Sequence, residues 1–212
     1  MYIELREASI WVNAMSSHRP YQLRVRADRQ RETRQRIVAA TEALHAEVGP
    51  ARTTIADVAR RAGVERLTVY NHFPELHQLL EACQASFLAA HPPPDLSPHG
   101  VSESGAVDRL ETALVQLYGW FRENEAMERN VHRDRHLVPE LDDLLRKTLD
   151  PLFDRIASEY ANLIARSPRA AARTGPMIRV ALDFRTWQLV TRGDASDIEA
   201  ARLLARAIAG VA

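Results

Sequence analysis

TTIADVARRAGVERLTVYNHF, Thr53 to Phe73, decides the fold. Its period is helical, and it breaks once. Ile55, Val58, Ala59 and Ala62 recur on one face of a first short helix. The Thr54 hydroxyl is placed to cap that helix, and Asp57, three residues on, is placed to bond back to the Thr54 N–H. Gly63 supplies the left-handed turn. Val64 is spaced to plug the angle, and a second helix is expected from about Glu65 to His72. This is the helix-turn-helix layout, whose second helix enters the DNA major groove.

The flanking pieces fit a three-helix unit. Ile37, Ala40, Leu44 and Val48 predict a helix over about 31–48, stopped by Gly49–Pro50. Pro74 is expected to open another over about 75–90, carrying Leu76, Leu79, Leu80, Cys83, Phe87 and Leu88. Arg34-x-x-Ile-Val-Ala-Ala40, Gly49, TT-I-A-D-V-A, A-G-V, T-V-Y-x-H-F and Leu79–Leu80 together resemble the DNA-binding domain of the TetR-type regulators, over roughly residues 31–80.

That resemblance implies an operator-binding homodimer with an unidentified small-molecule effector and no cofactor. Its implied organisation is an arm (1–28), a helix-turn-helix domain (29–75) and a larger helical ligand-sensing and dimerisation domain (76–212). His45 stands where the family usually has an aromatic, Glu65 where a small hydroxyl is common, and Leu76 where many members aim a lysine at phosphate.

Composition agrees with an all-α protein of 212 residues: 46% apolar, 26% charged and only 8 glycines. No apolar run reaches bilayer length, and MYIELREASIWVNAMSS lacks a basic n-region, so a cytoplasmic setting with neither membrane span nor secretory signal is expected. Met15 is a second candidate start. Cys83 is the single cysteine, so no intrachain disulfide forms. Net charge is zero, yet residues 1–72 hold 12 arginines against 8 acids, and the motif lies in that basic part. Arg19, Arg24, Arg26 and Arg29 form a basic arm suited to phosphates or a minor groove, or else a solubilising tail; EASIWV before it reads as a short strand or helix.

DNA readout needs phosphate donors and side chains that reach base edges. Arg66 is the candidate for guanine, its fork matching O6 and N7; Leu67 and Thr68 can touch a thymine methyl. Asn71 shares their open side. Tyr70 and His72 match family positions that grip phosphate, and Thr53 and Thr54 bring hydroxyls and a helix N-terminus.

Beyond residue 90, HPPPDLSPHG (91–100) reads as an exposed loop. Helices follow at about 105–124, 125–135, 137–165 (kinked at Pro151), 177–191 and 195–210, with Ser167–Pro168 as a stop and Asp194 as a start. Tyr118, Trp120, Phe121, His132, Phe153, Tyr160, Phe184 and Trp187 are candidates for the wall of an apolar pocket. Glu128, His132 and His136, spaced i, i+4, i+8, would share one face of a continuous helix, which leaves a metal-binding protein or helical enzyme as the alternative. Trp187, Ile198, Ala201, Ala205 and Ile208 are the expected dimer interface, formed by the last two helices.

Overall fold

The computed structural model describes residues 22–212 in full and, before Gln22, only the course of the first helix. EASIWV lies within that helix, one of its two expected forms, whereas the phosphate role expected of the Arg19 side chain lies outside what is described. Helix α1 spans Glu4–Glu47, so the helix expected from Arg31 starts earlier, and the described arginines of the arm, Arg24, Arg26 and Arg29, are helical. Nothing between Gln22 and Arg31 breaks a helix: the stretch has neither Gly nor Pro.

The helix-turn-helix unit is α1, α2 (Ile55–Ala62), α3 (Arg66–His72) and the start of α4 (Leu76–Ala90). Its core holds Ile37, Val58, Val69, Phe73, Leu79 and Cys83, with Ile55 and Val64 packed at its edge. Gly63 ends α2 at φ 66, ψ 43. The cap differs in one detail from expectation. Thr54 accepts from the Asp57 N–H at 3.2 Å, but its hydroxyl donates to the Asp57 carboxylate at 2.6 Å, so Asp57 does not return a bond to the Thr54 N–H. Pro74 precedes α4 by two residues, with Glu75 as the N-cap.

The rest is a helical bundle, with no strand among the described residues: α5 (Ala106–Glu123), α6 (Glu125–Asp134), α7 (Pro139–Ile164), α8 (Pro168–Ala181), α9 (Phe184–Val190) and α10 (Asp197–Ala209). Its centre is α5, whose Leu110, Ala113, Leu114, Leu117, Tyr118 and Phe121 follow helical spacing and are all buried. Along it lies α10, while α8 packs on α7. Helix α7 runs through Pro151 without interruption. The 91–100 loop is not wholly exposed, because Leu96 plugs the core beside α5.

Three boundaries correct the sequence reading. Ser167–Pro168 is a helix start, not a stop: Ser167 accepts from the Ala170 N–H, and Pro168 occupies the first turn. The helix expected over 177–191 is two helices. The chain turns at Leu182, and Asp183 caps α9 by accepting from the Arg185 N–H at 2.8 Å. Finally, α10 begins at Asp197, because Ser196 and Glu199 form a capping box that Asp194 cannot make.

Candidate nucleic-acid interface and internal cavity

Of α3, only Val69 is buried. It anchors the helix to the core, and the remainder of the helix is presented outward. Arg66, Leu67, Tyr70 and Asn71 are exposed, while Thr68 and His72 are half-buried. Leu67 at 69% and Tyr70 at 51% are large apolar side chains that a monomer gains nothing by exposing. The guanidinium of Arg66 has no hydrogen-bond or ion-pair partner among the described residues. By contrast, Arg61 is clamped by Glu47 through two 2.5 Å bonds and Arg60 is held by Asp57.

The two threonines are less free than expected. Thr53 donates its hydroxyl inward to the Gly49 carbonyl at 2.9 Å, and the Thr54 hydroxyl is committed to its cap. What they leave for a phosphate is the N-terminus of α2. Sequence reasoning named Arg24, Arg26 and Arg29 as a basic arm but missed that they lie on α1 and are joined there by Arg31 and Arg34. Arg24, Arg31 and Arg34 line a groove with Asn71 and His72, and Arg26 and Arg29 line a second with Thr68 and His72. Arg34 also lies over the Phe73 ring at 4.6 Å. The excess of arginine in residues 1–72 was the available signal; that it shares a surface with α3 depends on α1 being one long helix.

Between this unit and the bundle lies a cavity of about 660 Å³. From α1 and α4 come Glu42, His45, Leu80, Cys83 and Phe87; α5, α6 and α7 add Trp120, Phe121, Val131, Leu145, Leu149 and Phe153, and Phe184 closes it from α9. Of the expected pocket residues, Trp120, Phe121, His132, Phe153 and Phe184 line it. Tyr118, Tyr160 and Trp187 do not, being packed in the core. The Tyr118 hydroxyl donates to the Ala181 carbonyl at 2.8 Å, and the Trp187 indole donates to Asp197 at 2.8 Å. Each has found its polar partner inside the fold.

The polar end of the cavity is built by α6, α7 and α8. His132 stacks on Phe184 at 5.2 Å, with Glu128 3.5 Å from its Nε2. Arg135 donates to Asp142 at 2.6 Å and grips Asp150 through two bonds of 3.0 and 2.6 Å. Arg179 bridges Asp150 and Asp154. The Arg135 guanidinium holds the Asp150 carboxyl below the usual carboxylate range. Glu128, His132 and His136 all line the cavity, but α6 ends at Asp134, so the single helical face a metal would have needed is broken. Among the described residues no three His, Cys, Asp or Glu side chains converge as metal ligands.

The other face of α6 holds the helix-turn-helix unit. The Asn130 amide donates to the carbonyls of His45 and Ala46 at 2.9 and 2.8 Å, and Arg133 donates to that of Val48 at 2.9 Å. These carbonyls end α1 and have no partner within it. Asp134, 1% exposed, accepts from the Ala51 N–H at 3.0 Å and from Arg133 at 2.7 Å. Burial pushes the Asp134 carboxyl up, but these donors outweigh it and hold it low. Gly49, at φ 97, is required twice over, since a Cβ there would overlap both Arg133 and Asp134. His45 sits beside this clasp, and burial pushes its imidazole down to about 4.

The expected dimer residues are placed differently from the sequence reading. Trp187, Ala201, Ala205 and Ile208 are at most 2% exposed within the single chain, because α10 turns its alanine face onto α5 rather than outward. Only Ile198, 52% exposed, is available to a partner.

Known proteins resemble the chain most clearly in its helix-turn-helix unit. The family described as Bacterial regulatory proteins, tetR family, matches residues 37–83, which contain α2, α3 and parts of α1 and α4. The HTH-type transcriptional regulator TtgR of Pseudomonas putida is 38% identical over 87 residues, 41% of this chain and 41% of TtgR. The chain thus spans well under half the length of that relative. The nucleoid occlusion factor SlmA of Mannheimia succiniciproducens is 24% identical over 152 residues, 69% of this chain and 67% of SlmA. Among solved structures, SCO7518 of Streptomyces coelicolor A3(2) shares the fold with a TM-score of 0.52 at 19% identity, over 85% of this chain and 98% of that one. RolR, solved with resorcinol, does so at 0.50 and 18%, over 87% and 89%. Over residues 37–83, its helix-turn-helix domain, the chain is thus similar to the tetR family of bacterial regulatory proteins.

Proposed function

We propose that the chain is a sequence-specific, DNA-binding transcriptional regulator of the cytoplasm, a repressor released when a small apolar or amphipathic molecule enters the cavity. The observation that carries this is α3: one buried anchor, Val69, and an outward face of Arg66, Leu67, Thr68, Tyr70 and Asn71 beside the arginines of α1. Arg66 reads guanine, Leu67 and Thr68 meet thymine methyls, and Tyr70, His72 and the α2 N-terminus take phosphates. The cavity supports the effector: its volume falls in the range of small-molecule sites, and it is shared by both units. That RolR was solved with resorcinol fits the same reading. The ligand acts by differential affinity for two arrangements of the DNA-binding unit.

The working form is a homodimer, since one short reading helix gives little specificity. Its interface is drawn from apolar side chains that the single chain leaves exposed on α8, α9 and α10, namely Val180, Leu189, Ile198 and Leu203. Leu203→Glu with Ile198→Glu should convert dimer to monomer in sedimentation while leaving the helical spectrum unchanged. A double variant that stays dimeric would move the interface elsewhere. A gel-shift series with promoter fragments tests the DNA reading: the site should be roughly palindromic, its half-sites about one turn, ~34 Å, apart.

A further inference from the structure

We infer that the effector is a cationic amphipath: an aromatic or alicyclic body carrying one protonated nitrogen. This rests on the reading of the cavity as the effector site and adds the charge of the ligand to it.

Three of the five guanidiniums that line the cavity are paired with carboxylates. Arg135 makes three bonds to Asp142 and Asp150; Arg179 is held by Asp150 and Asp154 and stacks on Phe153; Arg146 pairs with Asp142 and Asp143. The other two lining arginines are exposed: Arg185, which donates to the His132 carbonyl at 2.6 Å, and Arg155. Inside the cavity an anionic ligand would have to displace a carboxylate from one of the three paired arginines, the two without a carboxylate being exposed.

Two carboxylates are in the opposite condition. Glu128 has only the His132 imidazole nearby, at 3.5 Å, and its side chain is 13% exposed. Glu42 has an Oε1 that is buried and accepts no hydrogen bond, alone in this among buried side-chain polar atoms of the described residues. A buried carboxylate oxygen without a donor is costly, and a ligand that brings one recovers that cost. The two acids come from α1 and α6, and the lining they share also includes Phe87, Trp120, Phe121 and Phe184. Aromatic faces attract a cation as well as an apolar body. Donor-hungry carboxylates, aromatic walls and the pairing of Arg135, Arg146 and Arg179 with carboxylates favour a cation over a neutral or anionic molecule of the same shape. Because Glu42 belongs to the DNA-binding unit and Glu128 to the bundle, such a ligand would join the two.

The test is isothermal calorimetry on the full-length protein, without DNA, using three probes of matched shape: 1-naphthylmethylamine, 1-naphthalenemethanol and 1-naphthoate. The amine should bind at least roughly tenfold more tightly than either of the others, the scale of one charge-assisted hydrogen bond. Glu42→Gln and Glu128→Gln should each weaken the amine several-fold and leave the alcohol unchanged, with circular dichroism reporting the fold. Equal or tighter binding of the alcohol or the acid, or glutamine variants that keep the amine preference, would overturn the cation assignment while leaving the cavity as a binding site. Absence of heat with all three probes would overturn both.

Discussion

Replacing Asn130 with alanine tests whether α6 holds the DNA-binding unit to the bundle. Its amide nitrogen gives two hydrogen bonds, to the carbonyls of His45 and Ala46, and its amide oxygen accepts from Arg133 at 2.9 Å. Asn130 is 7% exposed, so water does not readily replace it. A net hydrogen bond contributes about 0.5–1.5 kcal/mol, and two bonds onto carbonyls with no other partner give a loss of about 1–3 kcal/mol. The bond to Arg133 adds little, because that guanidinium is 42% exposed and keeps its contacts with Asp134 and Val48. Urea unfolding followed by tryptophan fluorescence should therefore show a lower midpoint at an unchanged slope. Hydrogen exchange should localise the loss to the end of α1 and to the Ala51 N–H, which donates to Asp134. An Asn130→Ala protein within about 0.5 kcal/mol of wild type, a scale typical of surface substitutions, would refute the clasp.

His45, with its folded pKa near 4 against 6.5 when free, binds fewer protons folded than unfolded between those values. Stability should therefore be full above about pH 6.5 and fall as pH drops towards 4, by roughly 3 kcal/mol from this group, and His45→Phe should flatten that slope in thermal denaturation. Gly49→Ala should cost more than Gly63→Ala: both sit at positive φ, worth about 1–2 kcal/mol, but at Gly63 the nearest obstacle is an Arg36 nitrogen at 3.8 Å, whereas at Gly49 it is the Arg133–Asp134 pair. Leu145→Trp, at the cavity wall, should weaken any effector by filling its space while leaving DNA affinity within a few-fold; equal weakening of both would make the residue structural. Charge removal at Arg24, Arg26 and Arg29 together should reduce the steepness of the salt dependence of DNA binding without changing sequence preference, as phosphate contacts do.

The helix-turn-helix was legible because its signals are local. A threonine cap, four apolar residues at helical spacing and a glycine in the left-handed region each act within a few residues, and each is where the spacing put it. The bundle was legible as helices but less so at their ends. Ser167–Pro168 works as a stop or a start according to which side the helix lies, and the apolar run around Leu182 hid the N-cap at Asp183. Which face of α10 turns inward was not legible at all. Its alanines suit any close helix contact, and only the fold shows that contact to be α5 of the same chain. The cavity followed the same rule: aromatic residues could be named, but Tyr118 and Trp187 found hydrogen-bond partners in the core, while the ion-paired end from Arg135 to Arg179 required α6, α7 and α8 to meet.

The central claim is that α3 reads DNA, and the direct measurement is selection of bound sequences from a random duplex pool, repeated with Arg66→Ala. The wild-type protein should enrich a two-fold symmetric site with a guanine at a fixed place in each half. The variant should lose preference at that base, at a cost on the order of 1–3 kcal/mol per half-site, while keeping it elsewhere. Enrichment of no sequence by the wild-type protein at low salt would contradict the account.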